Sequence, residues 1–237
     1  MYSALRAQRM TMKQNTDRIS IQVGLSGYSF KIYAGNDVRS SEWLSADRIF
    51  TTSEFQKRYE EVEISVFTPK VTLVPEQFYS VETGARLLSE VVSLMDDERV
   101  ESIPLPEYGA VLLYSNNIGE TLTRVVSETV VRTDGSKSNP LPVMYYMLKT
   151  LGTLHDYNKI VAAYMDGVLY LAIAQGSTLL LCNSYKAPDF TTAQYFIFLA
   201  MKKLQLNPEM SSISFMTQLD YEQEMSLYRY FRSVEHI

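Results

Sequence analysis

Residues 18–37, RISIQVGLSGYSFKIYAGND, decide how the rest of the chain is read. Apolar and polar residues alternate through ISIQVG and again through YSFKIYAG, with β-branched and aromatic side chains at the apolar places. That period of two is the mark of a strand half-buried on one side. Gly24, Ser26 and Gly27 stand between the two runs as a turn, so the stretch reads as a strand hairpin. A second hairpin follows far along the chain. KIVAAYM, residues 159–165, leads into Asp166-Gly167 and then VLYLAIA, residues 168–174. An Asp-Gly pair between two strands predicts a tight hairpin turn.

Between and beyond the hairpins the same order of elements recurs. After the first come an expected third strand in DRIFTT, the strands VEISVFTP and KVTLVP, a helix over 80–97, the buried strand GAVLLYS and a helix with Ile118, Leu122 and Val125 or Val126 on one face. After the second come the strand TLLLCNSY and the helix TTAQYFIFLAMKKLQL. Thr191 and Gln194 are expected to cap that helix, and Phe196, Ile197, Ala200 and Leu204 to form its inner face. ISFMT reads as a further strand, and YEQEMSLYRYFRSVEHI as a last helix capped by Asp220 and Gln223. TDGSKSNPLP, rich in Gly, Pro, Ser and Asn, is the best loop and marks a boundary. The fold class predicted is α/β with mixed sheets in two similar lobes. Residues 1–17 form a loose leader, 18–135 the first lobe and 136–237 the second.

Composition narrows the function. A net charge of −5 with no basic cluster argues against nucleic-acid binding. No apolar run reaches the ~20 residues of a membrane-spanning helix, and the polar start lacks the apolar middle of a signal peptide. The lone Cys182 fits a reducing, cytoplasmic setting, as a small apolar residue rather than a nucleophile. The 17 tyrosines and 11 methionines are side chains that suit protein interfaces. His155-Asp156 reads as a polar loop and His236 as a mobile terminus. Asp96-Asp97-Glu98 and Glu60-Glu61-Glu63 read as solvated helix ends and edges.

A hairpin-led lobe present twice resembles the actin-like ATPase fold, a ribonuclease-H-like architecture shared by actin, Hsp70 chaperones and sugar kinases. Its first phosphate hairpin is similar to residues 21–37, with Gly24 at the glycine and Gln22 where the family places an aspartate. Its second is similar to IVAAYMDGV, matched at Ile160, Val161, Asp166, Gly167 and Val168. That stretch departs at Ala163, the place of an aspartate, and at Met165, the place of a glycine. Over most of residues 18–237 the chain also resembles a family of uncharacterised Bacteroidetes proteins with this fold. The resemblance implies vestigial phosphate hairpins at Gln22, Gly24, Ser26, Gly27, Asp166 and Gly167. A hard cation needs oxygen ligands, usually carboxylates, and two of the expected acids are missing. The function expected is therefore a non-catalytic scaffold or interaction module with a protein partner and without cofactor or metal. The alternative is an ATPase or kinase using ATP with Mg²⁺ at an atypical interlobe site, and a small-ligand sensor using the cleft lies between.

Overall fold

The computed structural model describes residues 17–96, 98–115 and 120–237. The expected leader up to residue 16, Asp97 and the helix position Ile118 lie outside the described residues.

The first sheet opens with β1 (Arg18–Val23) and β2 (Gly27–Ala34), followed by β3 (Asp37–Ser40), β4 (Leu44–Ser45) and β5 (Glu61–Val66). Next come β6 (Val71–Pro75), helix α1 (Gly84–Ser89), β7 (Val100–Leu105), β8 (Ala110–Ser115) and helix α2 (Glu120–Thr129). Strand β9 (Leu141–Pro142) runs directly into helix α3 (Val143–Thr153). The remainder is β10 (Asn158–Met165), β11 (Val168–Gln175), β12 (Thr178–Lys186), helix α4 (Phe190–Lys203), β13 (Ser212–Phe215), helix α5 (Tyr221–Tyr228) and β14 (Ser233–His236).

Two sheets share one plan. The first has the order β3-β2-β1-β5-β9, and the second β12-β11-β10-β13-β14. In each, an antiparallel hairpin is followed by two strands running parallel to the hairpin's first strand. A third, antiparallel sheet, β6-β8-β7, lies in the chain between β5 and β9. Strand β9, beyond the boundary expected after residue 135, pairs with β5 and so belongs to the first sheet.

Period-two alternation sorts β10 between two cores. Ile160 and Ala162 face a cluster with Ile197, Met201 and Phe215, while Val161 and Ala163 face another with Met144, Met147, Leu148 and Leu151 of α3. Phe67, Leu112 and Tyr114 of the first half join that second cluster. Helix α3 is thereby shared between the two halves.

Several expectations from the sequence change. DRIFTT is not a strand, because Ala46–Thr51 forms 3₁₀ turns and the third strand is the exposed Asp37–Ser40. The helix expected over 80–97 is only six residues long. The chain then turns so that the Glu98 carboxylate accepts from the Met95 N–H. Glu98 is not a solvated edge, since its side chain is 0% exposed and pairs with Lys70 Nζ at 2.6 Å. Burial alone would raise its carboxyl pKa. Hydrogen bonds from Lys70, Ser115 and the Met95 N–H offset that and hold it below the usual carboxylate value. Helix α4 is capped by Asp189, which accepts from Thr192 N at 2.7 Å, while Gln194 donates to Ser226. Its buried face is Ala193, Ile197, Ala200 and Met201, with Phe196 and Leu204 only half-buried beside it. The capping box of Asp220 and Gln223 is present as expected. The last helix stops at Tyr228, and Ser233–His236 becomes the second sheet's fifth strand. That places His236 in a strand, 3.3 Å from Glu224.

Candidate functional site at the two hairpins

The first turn is held by a hydrogen bond from Gly24 N to Gly27 O at 3.0 Å. Both glycines are needed for close packing. A Cβ on Gly24 would lie 2.8 Å from Asp166 Oδ2 and 3.0 Å from the Trp43 ring. A Cβ on Gly27 would overlap the Leu44 carbonyl oxygen and press on Trp43 Nε1 at 2.9 Å. Trp43 and Asp166 therefore pack directly against these glycines. Ser26 is exposed, and its carbonyl oxygen accepts from Ala46 N at 3.3 Å.

The second turn forms as Asp166-Gly167, with φ of 51° and 72°, and Met165 pairs with Val168 across it. The two turns meet. Asp166 Oδ2 accepts from the Leu25 N–H at 2.9 Å, joining the hairpins of the two sheets directly. Gln22, at the place of the family's first aspartate, donates from Nε2 to the Met216 carbonyl at 2.7 Å. Its side chain thus ties β1 to the segment just after β13. Ala163, at the place of the second aspartate, is fully buried against α3. Met165, at the place of a glycine in the motif, is half-buried against that same core.

The other residues singled out in the sequence lie elsewhere. Asp156 accepts from Arg232 at 2.7 Å, and His155 is exposed. Cys182 is half-buried against the α3 core, and burial pushes its thiol up to about 12, which leaves it protonated and unreactive at neutral pH. Glu63 is not a solvated edge. It lies 3.8 Å from Arg18 and lines a cavity with it, and burial raises its carboxyl pKa despite the Arg18 charge. Among the described residues no group of three or more His, Cys, Asp or Glu is placed to hold a metal ion. No helix among them is long and apolar enough to cross a membrane. Sequence reasoning missed Trp43 as the cover of the first turn. The close approaches at Gly24 and Gly27 depend on the third dimension, and the glycines themselves were the only local sign.

Twin sheets of identical strand order, each led by a hairpin and with those hairpins facing one another, define the actin-like ATPase fold. Solved structures agree. The chain is similar to a Bacteroides thetaiotaomicron protein with actin-like ATPase fold and unknown function (16% identity, TM-score 0.64, covering 95% of this chain and 92% of that one). It is also similar to the PilM–PilN type IV pilus biogenesis complex (13%, TM-score 0.52, 94% and 88%). A third is the cytoplasmic domain of EpsL, an inner membrane component of the type II secretion system of Vibrio cholerae (11%, TM-score 0.50, 86% and 84%). The chain belongs to the family described as protein of unknown function DUF3822, whose model matches residues 7–234. A comparison with curated proteins finds no match.

Proposed function

We propose that this protein is a non-catalytic member of the actin-like fold that works as a scaffold or interaction module. One observation carries the reading: the carboxylate of Asp166 rests on the first turn's Leu25 N–H, where the fold's phosphate would be received. A protein anion thus takes the donor offered to a ligand anion. Gln22 is committed to Met216, and Ala163 supplies no oxygen. The residues present fit a magnesium triphosphate poorly, because Asp166 is the one carboxylate at the two turns and its Oδ2 is engaged by the Leu25 N–H. Partner binding is supported by a stripe at helical spacing on α5. Tyr221, Met225 and Tyr228 are all exposed, and Tyr230, also exposed, stacks edge-on against Phe198 at 4.9 Å. Apolar and aromatic side chains gathered on a surface are a usual mark of an interface. That two structural neighbours belong to secretion and pilus assemblies is in keeping with such a role.

Titration calorimetry with MgATP, paired with a phosphate-release assay, tests the reading. The expected outcome is binding no tighter than about millimolar and no hydrolysis above background. A micromolar, Mg²⁺-dependent heat that disappears in Asp166→Asn would restore the ATPase reading.

A further inference from the structure

The two faces of the first sheet differ in kind. One carries Ile19, Ile21, Val23, Phe30 and Ile64 into an apolar core. The other carries two polar rows in register across β2, β1 and β5: Lys31–Ser20–Glu63 and Ser29–Gln22–Ser65. This polar face is half-buried, with the Arg18 and Glu63 side chains still 34% and 29% exposed. It borders a cavity of about 310 Å³, with Tyr146 and Thr150 of α3 on the far wall. In the second sheet, built on the same plan, the row corresponding to Lys31–Ser20–Glu63 is Ala172–Val161–Ser214, with no charged group. Enclosing charge in this way is unfavourable. Burial pulls the Lys31 ammonium below the usual lysine value and pushes the Glu63 carboxyl above its own. The twin sheet shows that the fold itself has no need of a charged inner face, and such unmet expense is a sign of binding.

We propose that this cavity binds a small hydroxylated monocarboxylate, a molecule of about sugar-acid size. The volume suits it, since ligand sites begin near ~300 Å³. Arg18, Lys31 and Lys149 line the cavity against the single acid Glu63, so its lining favours an anion. Arg18 is engaged by Glu63 and lies over the Tyr33 ring, 4.1 Å from its centre. Lys31 donates to the Ile237 backbone oxygen at 2.6 Å and has further protons to give, so it is the group that receives the carboxylate. At the ~4.8 Å spacing of neighbouring strands, Glu63 lies ~10 Å along the row, with Ser20 between. The ligand's hydroxyls meet Ser20 and Ser29, and its far hydroxyl donates to Glu63. The inference does not depend on the silent hairpins, because neither Asp166 nor the first turn takes part.

Calorimetry on the whole chain with gluconate, glycerate, sorbitol and inorganic phosphate decides it. Gluconate binds saturably, glycerate more weakly, and neutral sorbitol not at all. Lys31→Met weakens gluconate by about tenfold or more while the thermal midpoint stays level or rises, and Ser20→Val also weakens it. A Lys31 that served only to tie down Ile237 would instead lower the midpoint on substitution and leave any binding unchanged. The inference is overturned by that result. It is equally overturned if neither carboxylate gives a saturable heat, if sorbitol binds as well as gluconate, or if phosphate alone binds.

Discussion

At Gly24 and Gly27 the same residue type does two jobs of different severity. The atoms crowding Gly24 are the Asp166 carboxylate and the Trp43 ring, both side chains that can shift. The atom crowding Gly27 is a backbone carbonyl held in the β2–β4 pairing. Gly24→Ala is expected to destabilise by ~1–3 kcal/mol, the usual range for overpacking, and Gly27→Ala by more, as read from urea unfolding. Equal losses would mean that β4 yields as easily as a side chain. Glu98 gives a pH signature. Its folded-state pKa lies below the ordinary carboxylate value, so its contribution is full at neutral pH. That contribution is lost as pH falls through the folded-state value. Glu98→Gln should lower stability at pH 7 and flatten the fall of stability on the acid side. Parallel acid limbs for the two proteins would show that the Lys70 pair does not drive it.

Among the elements, α4 shows where period counting succeeds and where it slips. Ile197 and Ala200 were legible as buried, but the stripe continues through Ala193 and Met201 rather than Phe196 and Leu204. A helix rotated by one residue keeps the same apolar count, and only the sheet beneath chooses the rotation. Phe196 instead stacks on Tyr185 at 4.7 Å, half-exposed. Ile197→Ala should therefore cost ~2–5 kcal/mol, as for a fully buried aliphatic side chain. Phe196→Ala should cost less despite the larger side chain removed. Chemical denaturation of the two variants checks the order, and the reverse order would mean that the stacked pair forms part of the core. The C-terminal strand was hidden for another reason: SVEH is too short and polar to declare itself, and it pairs only because β13 offers a parallel edge.

For the whole molecule, α3 and the contacts between hairpins bind the halves into one unit. Among the described residues, hydrogen bonds that cross between the first sheet's segments and the second's include Leu25 to Asp166, Gln22 to Met216, Lys31 to Ile237, and Gln218 to Ser41. Beneath them the α3 core contains residues from both halves. Unfolding should follow a single transition, with coincident midpoints by circular dichroism and calorimetry and equal calorimetric and van't Hoff enthalpies. Two separated transitions would mean that the halves fold independently. Most of this architecture could be read from the hairpins, since period-two alternation and an Asp-Gly turn are local signals. The site was legible only as missing residues. That Gln22 reaches Met216, 194 positions away, is beyond any local pattern. The polar face of β1 was visible as Arg18, Ser20 and Gln22 alternating with apolar residues, but alternation does not tell a half-buried cleft from open water.

The indole lying over the first turn has a use of its own. Trp43 is the chain's single tryptophan, so its emission comes from one place, the junction where the two hairpins touch. The protein carries its own optical gauge there. A ligand, partner or substitution that parts Asp166 from Leu25 changes the surroundings of that ring and shifts its fluorescence, while circular dichroism, which reports the sheets, stays still. Opening of the halves can be followed in solution without attaching a dye.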